Sequence, residues 1–126
     1  MIVLFFQNQF CTRALKQATA LNTIVDRIIG VTSKQPPVRK MHKNSVKGIF
    51  NKIYSNIDTI EKFKEIILLE NPDIVHCHNF PDTQAKIALE SRGISKYRVV
   101  HDIHDHGTYQ YQNLSLDQQA EEEYVE

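Results

Sequence analysis

Five of the six histidines fall in two short runs, Asp73-Ile74-Val75-His76-Cys77-His78-Asn79 and Val99-Val100-His101-Asp102-Ile103-His104-Asp105-His106. Imidazole is the side chain whose ordinary titration lies nearest neutrality, and a neighbouring carboxylate fixes its tautomer. Such pairs move protons, donate to hydroxyls or hold metals. His76 and His78 are two residues apart, so on a strand they share a face. His76 sits inside the apolar run and reads as a buried, hydrogen-bonded core histidine. His78 and Asn79 stand at the run's end, where a side chain can reach a ligand. His104 and Asp105 stand just past the end of the second run. There an imidazole can donate to a sugar hydroxyl or carbonyl while the carboxylate orients it. His101, earlier in that run, is a further binding candidate. The plain alternative for these histidines is hydrogen bonding to nearby backbone, strongest for His106, which precedes Gly107.

These groups need elements to carry them. Ile2-Val3-Leu4-Phe5-Phe6 is continuously apolar and of strand length, as in a central strand buried on both faces. Gln7-Asn8-Gln9 follows as a polar loop, and Gln7 and Asn8 join the binding candidates by standing at that strand's end. The spacing predicts a helix over 12–22, with Leu15, Ala18 and Leu21 (or Ala14, Ala18 and Leu21) inward. Cys11 would open it. A strand is expected over 25–31. Pro36-Pro37 interrupts regular structure. Val46, Ile49, Phe50 and Ile53 suggest a short amphipathic helix. Asp58-Thr59-Ile60-Glu61 reads as a capping box with Asp58 as N-cap. Ile60, Phe63, Ile66, Ile67 and Leu69 form its stripe, and Pro72 ends it. A strand over 73–78 follows. Asp82 should cap a helix with Ala85, Ala88 and Leu89 inward and Gly93 at its C′ position. A strand over 97–103 comes next. Ser115-Leu116-Asp117-Gln118 opens a last helix, which keeps its spacing to Glu126. Alternating strands and helices predict one Rossmann-like α/β domain over 1–126, three-layered, with a mostly parallel, doubly wound sheet. Ligands of such sheets bind beyond the carboxyl ends of the strands, where both histidine runs end.

Composition narrows the classes. The chain has 126 residues, 41% of them hydrophobic, enough for one core. Lys+Arg and Asp+Glu are both 15, so net charge names no partner. Their distribution is uneven. Seven basic residues and no acids lie from Arg27 to Ile57, and seven acids with no Lys or Arg follow Arg98. Solvated surface explains this; a patch facing phosphate or an anionic membrane is the sharper reading. Cys11 and Cys77 show no disulfide pattern and suit a reducing compartment. No run approaches transmembrane length, and Ile2–Phe6 is too short for a signal peptide. No glycine precedes Gly30, so the first loop lacks the Gly-x-Gly-x-x-Gly of dinucleotide domains. No P-loop, Gly-x-Ser-x-Gly elbow or nucleic-acid module is present.

The segment Asn71 to Asn79, then a helix, then Arg98 to Asp105 resembles the N-terminal domain of group 1 glycosyltransferases with the GT-B fold. That family carries a strand of the form "kPDivHaHn" and then a strand ending in "vHD". The likeness covers Asp58 to Glu126 well and Met1 to Val31 loosely. It implies a two-domain enzyme that transfers a sugar from a nucleotide-sugar co-substrate to a glycan or lipid-linked acceptor, without a metal or other cofactor. It assigns His104 to the "vHD" histidine facing the transferred sugar, with Asp105 beside it, and it sets His78 and Asn79 near the acceptor. Gln7, Asn8 and Gln9 stand where many members have glycines. The nucleotide-holding C-terminal domain is absent from this chain, so the chain alone is expected to be inactive. A cytoplasmic setting follows, peripheral to the inner membrane face through residues 27–57, with no nucleic-acid partner. Two rivals remain: a metal-dependent hydrolase built on the His/Asp clusters, and a non-catalytic flavodoxin-like or receiver-like binding module. A receiver would carry an acidic pair after its first strand, and Gln7-Asn8-Gln9 is uncharged.

Overall fold

The computed structural model describes residues 1–40, 46, 48–78, 82–93 and 95–103. The chain runs β1 (Ile2–Gln7), α1 (Thr12–Leu21), β2 (Arg27–Thr32), β3 (Lys52–Tyr54), α2 (Ile60–Glu70), β4 (Ile74–His78), α3 (Thr83–Glu90) and β5 (Arg98–Asp102). The strands form one parallel sheet in the order β3-β2-β1-β4-β5. This is the doubly wound order of dinucleotide-type domains, not the 2-1-3-4-5 order of flavodoxin-like sheets.

β1 is the middle strand, as its unbroken apolar run requires. Its even residues Leu4 and Phe6 pack with Phe63, Ile66 and Ile67 of α2 and Ala85 and Ala88 of α3. Its odd residues Val3 and Phe5 pack with Ala14, Leu15 and Ala18 of α1. Both faces are therefore covered, with α1 on one and α2 and α3 on the other. Alternation along β4 continues the division. Val75 and Cys77 join the α2/α3 layer, whereas Ile74 packs against the α1 layer.

Helix boundaries follow local chemistry. Cys11 is the N-cap of α1, its Sγ accepting from the Ala14 N–H at 3.4 Å. At α2 the cap is Thr59, not Asp58. Its Oγ1 accepts from the Lys62 N–H at 3.2 Å, while Asp58 takes the Lys62 ammonium at 3.0 Å. Asn71 ends α2 in the left-handed region at φ 48°, where asparagine is better tolerated than most residues. Pro72 follows, as the sequence requires.

Four further expectations are corrected. The helix expected across 46–53 is not formed. Gly48 turns at φ +77°, and the chain enters β3, where Ile53 pairs with Gly30. The Asn51 side chain secures that entry by accepting from the Ile28 N–H at 2.8 Å. In α2, Leu69 points outward at 74% exposure. In α3, Leu89 is exposed and Ile87 is buried instead. The α3 stripe thus begins at Gln84 and runs through Ile87 and Ala88 rather than Leu89. Gly93 closes a 3₁₀ turn, Ser91–Gly93, and shows no left-handed backbone. The helix expected from Ser115 lies outside the described residues. No described helix is long and apolar enough to cross a membrane.

Candidate functional site

The chain builds β2 and β3 on one side of β1, then β4 and β5 on the other. The direction of winding therefore reverses between β1 and β4. Neighbouring loops leave the sheet in opposite directions at such a point, and their divergence opens a crevice at the carboxyl ends. Gln7 ends β1 there, and His78 ends β4.

The two ends meet through Cys11. The backbone N–H of Cys11 donates to Gln7 Oε1 at 3.3 Å, which fixes the amide's orientation. Gln7 Nε2 then donates to Cys11 Sγ, also at 3.3 Å. Nδ1 of His78 lies 3.9 Å from the same sulfur. Gln7, Cys11 and His78 are all buried, at 4%, 2% and 5% exposure.

The loop that carries Cys11 is braced from β2. Lys34 and Ser33 donate their N–H groups to the Asn8 and Gln7 carbonyls at 3.1 and 3.0 Å. Phe10 donates its own N–H to the Pro37 carbonyl at 2.9 Å, and its ring stacks on Phe50. The Phe10 ring fills the space above Gly30, where an added Cβ would lie 2.7 Å from it.

Aromatic packing sets the histidines. His76 stacks on Phe5 with centroids 5.0 Å apart, and His78 lies 4.7 Å from His76. His76 is half-buried rather than fully buried. Its Nδ1 finds no hydrogen-bond partner among the described residues, contrary to the bonded core histidine expected from sequence. Burial pushes the His76 imidazole below its ordinary value; Asp102 pulls it up and His101 pulls it down.

Asp102 pairs in register with His78 across the β4–β5 ladder. Its Oδ2 accepts from Arg13 Nε and Gln17 Nε2, each at 2.9 Å. Arg13 and Gln17 are one helical turn apart on α1, so the carboxylate clamps α1 to the edge strand. Burial opposes the Asp102 charge, yet donation from Gln17 and Arg13 and the fields of His78 and Arg13 hold the carboxyl down to about 2. A carboxyl depressed below its ordinary ~3.9 stabilises the fold above that pH and stops doing so as pH falls towards the folded value. Between about pH 4 and 2, the wild-type chain should therefore lose more stability than Asp102→Asn, measured by urea unfolding at each pH. Parallel curves would remove Asp102 from the acid response.

The sequence candidates separate clearly. Gln7 and His78 come together. Asn8 is exposed beside them and uses its carbonyl to brace the loop. His101 pairs in register with Cys77 and so shares the α2/α3 face, opposite His78. Asn79, His104 and Asp105 lie outside the described residues. Asp102, part of the second histidine run, enters the site as well; Cys11, Arg13 and Gln17 escaped the sequence reading of the site. Their signals were a cysteine in an N-cap slot and the i, i+4 spacing of Arg13 and Gln17. Cys11 and Cys77 lie in separate layers of the core and are not joined by a disulfide, and burial pushes the Cys77 thiol up to about 12.

Among the described residues, no group of three His, Cys, Asp or Glu side chains could hold a metal ion. In the basic stretch, Arg27 is engaged by Glu70 at 3.1 Å, and the Lys52 ammonium lies over the Tyr54 ring. The fold and the switch point define a Rossmann-like α/β domain. Comparison with protein-family models, curated proteins and solved structures finds no match to this chain.

Proposed function

We propose that this chain is the acceptor-side half of a GT-B sugar transferase, receiving a glycan or lipid-linked acceptor beyond the carboxyl ends of β1 and β4. The observation that carries this reading is the meeting of Gln7 and His78 at the reversal of the sheet, on strands in the order such a domain requires. The two histidine runs that resemble the family occupy neighbouring parallel strands. In this reading His104 and Asp105 act at the transferred sugar, and His78, Asn79, Gln7 and Asn8 border the acceptor. The nucleotide of the donor is held by a second domain, and transfer needs that domain. The basic residues of 27–57 bring the protein to an anionic lipid surface on the cytoplasmic side.

Isotope-labelled protein titrated with a panel of neutral oligosaccharides and with UDP, GDP and ADP tests the proposal by amide chemical shifts. Oligosaccharides should move Gln7, Asn8, Cys11 and His78, and His78→Ala should weaken that response about tenfold, the scale of one lost hydrogen bond in a site. Nucleotides should leave these amides in place. A nucleotide response at the switch point with none to any carbohydrate would overturn the assignment. Vesicles of anionic and neutral lipid, added to the same sample, separate charge-driven surface binding from none.

A further inference from the structure

Cys11 holds the position that serine, threonine or aspartate commonly fills at a helix start, where the side chain accepts from backbone N–H. Its sulfur accepts from Ala14 N–H at 3.4 Å and from the Gln7 amide at 3.3 Å. The second of these has no alternative orientation, because Gln7 Oε1 already receives the Cys11 N–H. The His78 ring faces the same sulfur at 3.9 Å. Neutral thiols accept hydrogen bonds weakly, whereas a thiolate accepts them strongly and prefers a helix N-terminus beside an imidazolium. Asp102, facing His78 from β5, favours a protonated ring.

We propose that Cys11 and His78 form a thiolate–imidazolium pair at neutral pH, and that Cys11 is a modification site for small hydroperoxides. The sulfur attacks the terminal oxygen of the peroxide. An S–O bond forms and the O–O bond breaks. The leaving alkoxide or hydroxide takes the proton held by His78. Sulfur is oxidised by two electrons to a sulfenic acid, and the peroxide is reduced to an alcohol or water. With 2% of the residue exposed, the site selects small reagents. Around the pair, Asp102 on β5 supports the imidazolium, Arg13 on α1 offsets Asp102, and His76 on β4 lies beside His78. Cys77 is an internal control: it lies within β4 on the opposite face of the sheet, in the α2/α3 layer, and burial pushes its thiol up to about 12.

The test follows thiolate absorbance in the far ultraviolet against pH in a Cys77→Ser chain, a measure that does not depend on reagent access. Half-ionisation should occur about two pH units or more below the ~8.5 of a free thiol, a hundredfold shift in the equilibrium. His78→Ala should return the midpoint upward by about one unit or more, a tenfold loss of thiolate. Asp102→Asn, which leaves β4 intact, should move it in the same direction, and circular dichroism checks that each variant is folded. A midpoint at or above that of a free thiol, or one unmoved by both substitutions, overturns the pair. In the wild-type chain, brief hydrogen peroxide followed by dimedone should label Cys11 and spare Cys77. Equal labelling, or Cys77 first, overturns the modification site.

Discussion

Phe63→Ala should destabilise the fold by about 3–5 kcal/mol, the range for emptying a buried aromatic site. Phe63 is 0% exposed and stacks on Phe6 with centroids 4.5 Å apart. It joins α2 to the middle strand, so its loss removes contacts from both layers at once. Neighbouring side chains belong to α2, α3 and the sheet, and a collapse that suits one would unpack another. Urea unfolding reads the loss as a lower midpoint. Leu69→Ala is the matched control on the same helix, expected within about 0.5 kcal/mol because Leu69 is largely in water. A loss below about 1 kcal/mol for Phe63→Ala, or similar losses for both, would contradict this packing of α2.

Gly30→Ala carries an expectation of opposite sign to the usual one. Replacing glycine by alanine where the backbone permits it stabilises by about 0.4–1 kcal/mol through the unfolded chain. Here the new Cβ meets the Phe10 ring at 2.7 Å and Phe50 at 3.1 Å. Phe10 is 1% exposed, stacked on Phe50 and tied to Pro37, so its ring has little room to retreat. Overpacking of this kind costs about 1–3 kcal/mol, which exceeds the entropic gain. Net destabilisation is expected, and in a Phe10→Leu background the cost should fall by about half or more, since contacting residues couple. The displacement should also reach the site, because Phe10 is bonded directly to Cys11. Amide shifts at Gln7 and Cys11 that stay in place would show the loop to be independent of Gly30. A stabilised Gly30→Ala would show that the ring yields freely.

Much of this architecture could be read from residue pattern. The unbroken apolar run Ile2–Phe6 fits only a strand covered on both sides, and it is the middle strand. Phe63, Ile66 and Ile67 fall at helical spacing and are the buried residues of α2. The errors arose where tertiary context outweighed spacing. Val46, Ile49, Phe50 and Ile53 fit a helix arithmetically, but one glycine turn and one open edge of β2 convert their end into strand. Leu69 and Leu89 are apolar, which periodicity rewards, yet one step around each helix carries them past the core. Asp58 and Thr59 can both cap, and only the direction of the chain chose threonine.

The site was legible in part for a similar reason. Strand ends are visible in sequence, so Gln7 and His78 could be proposed from position alone. Which strand neighbours which is not visible. Without the order β1-β4-β5, nothing links Cys11 to a histidine 67 residues away or Arg13 to Asp102, 89 residues away. Period-two alternation also separates His101 from His78, but only once the register of β5 on β4 is known.

The outermost strand on one side, β3, has three residues, beginning with Lys52. A parallel sheet rich in valine, isoleucine and phenylalanine is a template on which other chains could stack edge to edge. Its long apolar strands are enclosed, and the margin offered on that side is a brief segment headed by a positive charge. Short, charged margins are a recognised protection against intermolecular strand addition. Lengthening β3 with apolar residues would thus endanger solubility before it changed the core, and the chain's resistance to aggregation on this flank rests on how little strand it leaves at the border.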